Sequence, residues 1–321
     1  MKLKMMYSFL NSDINLIEKK LGETIHTDSL LLKQASMHTL QAGGKRIRPV
    51  FVLLAGKFGH YDIHIMKDVA VALELIHMAS LVHDDVIDDA DLRRGQPTVK
   101  SKWDSQIAMY TGDFVFALAL ELMTNVKSPL AHKILSNTIV EVTVGEIQQI
   151  KDKYRFDQNF RDYLRRIKRK TALLIAASCQ LGAIAAGVEE SVHKKLFRYG
   201  YYVGMSFQIT DDILDFTATE KDLGKPAGSD LLHGNITAPA LFAMEQDLQI
   251  KSKISTVNET TKPHEMKEII QMIKQSGAIE KSFALSDLYL NKALAVLDEL
   301  PQNKARKALY DIAKNIGRRK S

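Results

Sequence analysis

Disulfide chemistry is closed to this chain. Cys179 is the single cysteine among 321 residues, so no intramolecular bridge can form, and such sparing use of thiols fits a reducing compartment. Helix breakers are scarce too: 7 prolines and 17 glycines leave long stretches uninterrupted, which predicts long helices. No period-two alternation of apolar and polar residues rises above noise. Met1 to Tyr7 hold no apolar core with a small-residue cleavage site, so no signal peptide is expected. The longest weakly polar run, Leu173 to Val188, contains Gln180 and falls short of the roughly 20 residues a membrane helix needs. The chain reads as a cytoplasmic protein that at most visits a membrane surface. The motifs G-x-x-x-x-G-K-[ST], G-x-S-x-G, H-E-x-x-H and G-x-G-x-x-G are all missing, and with them the chemistries they support.

What is present is the composition of a soluble globular protein, 45% hydrophobic and 26% charged. The net charge of +6 admits nucleic acid, an anionic membrane or a phosphorylated substrate as partner without choosing among them. Apolar residues recur at helical spacing over roughly 6–21, 28–42, 65–90, 103–123, 128–150, 157–187 and 190–216, and again at about 236–247, 263–275, 277–299 and 302–317. No low-complexity linker divides them. The expectation is an all-α fold with residues 1–321 as a single domain.

Two stretches of that chain are electrostatically odd. Asp84-Asp85-Val86-Ile87-Asp88, with Asp89 after it, and Asp211-Asp212-Ile213-Leu214-Asp215 each place carboxylates at i, i+1 and i+4. Residues four apart on a helix are neighbours, and like charges there repel. Breakers follow both: Gly95 and Pro97 after the first, Gly224, Pro226 and Gly228 after the second. Both acid sets therefore sit near helix C-termini, where the macrodipole prefers cations. A hard divalent cation with oxygen ligands, such as Mg²⁺, suits that arrangement, above all when substrate phosphates complete its shell. Met78 and Met205 each stand six residues before the first Asp, a hint that two helices face each other across one cavity.

Cations accompany the acids. Arg93-Arg94 directly follows the first set, and arginine forks match phosphate oxygens. Lys45, Arg46 and Arg48 flank the flexible pair Gly43-Gly44, an arrangement that suits either an anion site or a solvated basic loop. Lys170-Thr171 marks the switch of its segment from basic to apolar, so these two are the best placed to point inward. His77, two turns before Asp84, reads by itself as a core histidine. Acids facing across a cavity with cations around them suit one task, binding a diphosphate through metal and stabilising it as a leaving group. Apolar residues below (Leu75, Ile76, Ala79 and Val82; Val203, Phe207 and Ile209) suit a hydrocarbon chain.

Taken together, Gly43-Gly44-Lys45-Arg46-Ile47-Arg48-Pro49, the first aspartate motif, Leu92-Arg93-Arg94-Gly95, Lys170-Thr171, and the second motif followed by Gly224-Lys225-Pro226 resemble the trans-polyprenyl diphosphate synthases over nearly the full chain. Within that family the segment Leu164 to Lys170 and the ending Ile316 to Lys320 are most similar to the larger, catalytic component of two-component heptaprenyl diphosphate synthases. The resemblance implies an isoprenoid-synthase-type helical bundle around a large central cavity. It implies two or three Mg²⁺ per active site, with Asp84, Asp88 and Asp211 as ligands and Asp85, Asp212 and Asp215 in direct or water-mediated support. Arg93, Lys170, Thr171, Gln208 and Lys225 would hold an allylic diphosphate such as farnesyl diphosphate. Lys45, Arg48, His77 and Arg94 would hold isopentenyl diphosphate, which reverses the reading of His77. The implied partner is a smaller, dissimilar subunit (component I), with self-association possible in addition, and the implied product is the side chain of a menaquinone. Ala79 and Ser80, one turn before Asp84, are small and leave room for a long product.

Two departures from the family pattern, Asn235 after Gly234 and Ala238 where Leu is usual, bear on loop ordering. Competing readings are a non-catalytic regulatory subunit, a class I terpene cyclase and a basic nucleic-acid-binding protein. The first is expected to lose an acid motif or a basic grip, the second has no use for two cation sets, and the third leaves two acid clusters unexplained. No nucleic-acid partner is expected.

Overall fold

The computed structural model describes residues 6–218 and 226–317. Lys221, Gly224 and Lys225, like the basic tail Arg318-Arg319-Lys320, lie outside the described residues.

Helices account for about three quarters of the chain. They are α1 (Asn11–Thr24), α2 (Leu30–Gln41), α3 (Ile47–Gly56), α4 (Ile63–Ile87), α5 (Val99–Lys102), α6 (Ser105–Met123), α7 (Pro129–Asp152), α8 (Phe160–Ile167), α9 (Leu173–Ala185) and α10 (Glu190–Thr217). After the short α11 (Ser229–Leu232) come α12 (Ala238–Gln246), α13 (Leu248–Ile254), α14 (Pro263–Gln275), α15 (Ala278–Asp298) and α16 (Lys304–Gly317). The expected all-α class holds. The boundaries follow side-chain chemistry: Asp62, Asp104 and Asn159 cap α4, α6 and α8 by accepting backbone N–H groups at 2.7–2.8 Å.

Two compact units emerge. The first comprises Met1–Leu135, Ser178–Leu196 and Pro301–Ala308; the second comprises Ser136–Ala177, Phe197–Leu300 and Leu309–Ser321. In the first unit, Val82 on α4 packs with Ala35, Val99 and Ala108 under a cover of Val86, Trp103 and Ile107. This cluster seats the C-terminal end of α4 against α2, α5 and α6. In the second, Tyr163, Ile167, Ala172, Met205, Ile209, Ile213 and Phe216 form part of a continuous buried cluster that seats α10 against α8.

Two local features depart from the helical reading. Leu92–Arg93 and Gln96–Pro97 pair as a two-residue antiparallel hairpin. Its turn residues Arg94 and Gly95 have φ of 54° and 75°, the pair of positive values that a tight hairpin turn requires; four paired residues are too few to show alternation. The helix expected over 157–187 is interrupted: Lys168–Ala172 forms a π turn between α8 and α9, and no residue type announces one. Among the described residues one helix, Ser105–Met123, is long and apolar enough by length and composition to cross a membrane, and 44% of its apolar window is buried inside the protein.

Candidate active site

The first acid set closes α4. Its last turn survives through Asp88, whose N–H donates to Asp84 O at 2.8 Å. That bond keeps the four-residue spacing on which a carboxylate pair depends. Asp89 then turns the chain away with φ of 53°. Asp84 and Asp85 are buried and Asp88 is exposed. Burial pushes the Asp85 carboxyl up, against the pull of Arg93, whose Nε donates to Asp85 Oδ1 at 2.7 Å. The hairpin explains this pairing, since it folds Arg93 back over the helix end that precedes it. His38 Nε2 pins the other strand at Pro97 O, 2.7 Å away.

Beside this end lies a recess lined by Gly43, Glu74, His77, Asp85, Arg93 and Arg94, among others. Arg46, Arg93 and Arg94 line it against Glu74 and Asp85, and Arg48 acts on the same His77 from nearby. Arg48 is buried, its Nε has no hydrogen-bond partner among the described residues, and burial lowers its guanidinium to about 10 with Arg94 adding to the effect. His77 is driven well below the usual histidine range, first by burial and then by Arg48, Arg94, Arg93 and Arg46. It is therefore a neutral donor or acceptor among cations. A Cβ built at Gly44 would stand 2.9 Å from Arg94 Nη1, the movable end of a long side chain, so the glycine loop lies against this guanidinium. A buried guanidinium with an unused N–H is costly unless an anion completes it, so this corner is chemically suited to an anion.

Arg46 also lines this recess, but its role differs from that of Lys45 and Arg48, with which the sequence groups it. It occupies the left-handed region at φ 49° and is spent on protein partners. Its Nε donates to Glu18 Oε1 at 2.7 Å, its Nη1 to Glu74 Oε1 at 3.1 Å and its Nη2 to Leu40 O at 3.3 Å. It clamps the glycine loop to α1, α2 and α4. Lys45 is exposed at the edge of a second recess lined by Tyr7, Asn11, Asn15 and Glu18. Ala79 is buried and Ser80 half-buried, the latter donating to His77 O at 2.9 Å.

The second unit holds the other set. Asp211 is exposed, whereas Asp212 and Asp215 are buried within α10. Asp212 is surrounded by donors: Tyr163 Oη reaches its Oδ2 at 2.7 Å and Gln208 Nε2 its Oδ1 at 2.8 Å. Thr171 Oγ1 in turn donates to Gln208 Oε1 at 2.6 Å. Burial, reinforced by Asp230, pushes the Asp212 carboxyl up to about 8. Asp215 Oδ2 accepts the Asp230 N–H at 3.1 Å, and its backbone O accepts Gly228 N–H at 2.8 Å, so it fixes the return of the chain after the motif. Lys170 lies 3.4 Å from Glu146 Oε2.

The loop carrying Asn235 is held from outside itself. Tyr154 N–H donates to Gly234 O at 2.9 Å, Tyr154 Oη to Leu232 O at 2.7 Å, and Arg166 Nη2 to Ile236 O at 2.5 Å. Tyr154, Arg166 and Tyr163 were not marked by the sequence as site residues. Tyr163 and Arg166 stand one helical turn apart, so burial of one predicts burial of the other, and a basic run around Arg166 hides that signal.

The comparisons with known proteins agree with one another. A family model described as polyprenyl synthetase matches residues 29–273. The heptaprenyl diphosphate synthase component 2 of Bacillus subtilis is 61% identical over 320 residues, which is 100% of this chain and 92% of that protein. The crystal structure of heptaprenyl diphosphate synthase from Staphylococcus aureus superposes with a TM-score of 0.93 at 46% identity, covering 97% of this chain and 99% of the other. A Caulobacter crescentus polyprenyl synthase, solved with calcium and isoprenyl diphosphate, matches with a TM-score of 0.93 at 30% identity, over 99% and 98% of the two chains.

Proposed function

Because the chain belongs to the polyprenyl synthetase family, and so is a prenyltransferase, we propose that it is the catalytic component of a two-component heptaprenyl diphosphate synthase, acting with a smaller, dissimilar subunit. The reaction is successive condensation of isopentenyl diphosphate onto an allylic diphosphate, with farnesyl diphosphate as primer. In each cycle the allylic C–O bond breaks and the diphosphate leaves with the bonding pair. The isopentenyl double bond forms the new C–C bond, and the proton then lost passes to the departing diphosphate. What carries this reading is the pairing of an oxygen-only acid set with a buried guanidinium whose Nε has no partner among the described residues: Asp84, Asp85 and Asp88 stand at the end of the helix that also carries His77, beside Arg48, Arg93 and Arg94.

The residues present fit Mg²⁺. No three His, Cys, Asp or Glu side chains among the described residues form a cage for a metal ion by themselves, and Mg²⁺ is characteristically held by one or two carboxylates with substrate phosphates completing the shell. Asp84, Asp88 and Asp211 would hold it, with Asp85, Asp212 and Asp215 in support. When bound, the metal supplies charge neutralisation at the diphosphate. The chain's own residues orient the substrates: Arg93, Lys170, Thr171, Gln208 and Lys225 on the allylic diphosphate, and Lys45, Arg48, His77 and Arg94 on the isopentenyl one. We assign the whole chain to a single all-α synthase domain, and the protein to the cytoplasm with a passing membrane contact for product release.

The test is to incubate the purified chain with Mg²⁺, farnesyl diphosphate and labelled isopentenyl diphosphate, with and without the smaller component, and to size the products. Heptaprenyl product requiring both proteins is the expected result. Long product from the chain alone removes the partner, and no Mg²⁺-dependent product in either mixture overturns the reading.

A further inference from the structure

Tyr163 donates to the buried Asp212, and the two are joined in a closed hydrogen-bonded chain with Gln208 and Thr171. Tyr163 is fully buried. Both oxygens of Asp212 are taken, one by Tyr163 at 2.7 Å and one by Gln208 at 2.8 Å, while the remaining polar atom of the Gln208 side chain accepts from Thr171 at 2.6 Å. One continuous segment thus grips α10 twice, through Tyr163 at its start and Thr171 at its end, on side chains one turn apart.

The π turn at Lys168–Ala172 makes that double grip possible. Tyr163 and Thr171 are eight residues apart, which in an unbroken α-helix turns the second residue roughly 80° away from the first. A wider turn that absorbs one residue reduces the effective spacing to seven, and seven residues return to within about 20° of the same face. The underwound turn therefore brings Thr171 onto the face Tyr163 occupies, and places Lys170 beside it.

We propose that Tyr163 is a positioning residue for the reaction: through Asp212 it fixes the rotation of α10, and so the placement of Asp211 and Gln208, relative to Lys170 and Thr171. In this arrangement Asp212 serves as a hub inside the protein, and Asp211, exposed on the same helix, is the residue it aims. The inference rests on the prenyltransferase reading of the site. It predicts that loss of one phenol oxygen affects the allylic diphosphate and the metal and leaves isopentenyl diphosphate alone, because the residues assigned to that second substrate stand on other elements.

The experiment is a double-mutant cycle with Tyr163→Phe and Asp212→Asn in the chain mixed with its smaller component. Calorimetric titration of Mg²⁺ and inorganic pyrophosphate supplies a readout apart from turnover. Tyr163→Phe is expected to raise KM for farnesyl diphosphate and the Mg²⁺ half-saturation roughly tenfold, in line with the loss of an outer-sphere support, and to weaken Mg²⁺-dependent pyrophosphate binding. KM for isopentenyl diphosphate should stay within about twofold, and in the Asp212→Asn background the second substitution should add less than about twofold. Equal changes in both KM values, effects that multiply across the cycle, or unaltered pyrophosphate binding would each overturn the proposal. If Tyr163→Phe does not fold, Thr171→Val enters the same cycle with Asp212→Asn and must show the same non-additivity. A wild-type protein with no Mg²⁺-dependent turnover would instead overturn the prenyltransferase reading, so the two failures are distinguishable.

Discussion

A histidine among four arginines has its protonation decided for it. Burial and the guanidinium groups of Arg48, Arg94, Arg93 and Arg46 hold His77 well below its ordinary 6.5. The folded chain refuses a proton that the unfolded chain accepts as pH falls through that value. The unfolded state then binds more protons, so stability declines on acidification, by at most about 1.4 kcal/mol per pH unit, and is unaffected above the unfolded value. Replacing His77 with Asn removes this contribution. Thermal unfolding of the metal-free protein at about pH 7 and about pH 5 should show a smaller loss for His77→Asn than for the wild type. An equal loss would mean that His77 is not held neutral. The same group shows what sequence can and cannot convey at this scale. The run Lys45-Arg46-Ile47-Arg48 looks like one basic cluster, yet Arg46 is fastened to Glu18 and Glu74 while Arg48 Nε has no hydrogen-bond partner among the described residues. Two arginines two residues apart are told apart only by which acids the fold delivers, and Glu18 and Glu74 are both 28 positions away from Arg46.

Helices are where the sequence was most legible, because few breakers interrupt a strong apolar period. What escaped was irregularity: the π turn at Lys168–Ala172 and the Arg94-Gly95 hairpin, both stabilised by tertiary partners rather than by composition. Close helix approaches were equally hidden, since a glycine in a helical pattern has the same appearance whether or not something presses on it. Gly22 on α1 and Gly182 on α9 make the contrast testable. Nothing lies within 4 Å of a Cβ built at Gly22, while one at Gly182 would stand 2.3 Å from Val52 O and 2.8 Å from Val52 Cα. Gly22→Ala should stabilise the protein by about 0.4–1 kcal/mol through reduced unfolded-state entropy. Gly182→Ala meets backbone that has no rotamer to yield and should destabilise it by about 1–3 kcal/mol or more. Denaturant midpoints of the two variants should move in opposite directions. A Gly182→Ala variant at or above wild-type stability would show that α3 and α9 are not packed as described.

At the scale of the whole molecule the question is what stops chain growth. Each cycle lengthens the product by one isoprene unit, so the final length is set by where the hydrocarbon first meets a wall. Residues four and five before Asp84 lie one helical turn, roughly 5.4 Å, from the acid set, and here they are Ser80 and Ala79. The two are not equivalent. Ser80 is half-buried and its hydroxyl bonds only to its own helix at His77 O, 2.9 Å away, so a larger side chain there displaces little protein. Ala79 is 1% exposed, and a ring at that position must also displace packed neighbours, at about 1–3 kcal/mol. Both Ser80→Phe and Ala79→Phe are expected to shorten the product to about C20, one addition to the farnesyl primer, by raising a floor one turn from the acid set. Ala79→Phe alone should also lower the melting temperature. Product chromatography and thermal unfolding of both variants, each mixed with the smaller component, separate the two effects. Heptaprenyl product from a folded, active Ser80→Phe enzyme would mean that the growing chain does not pass this face of α4, and the limit on length would then have to be sought on another element.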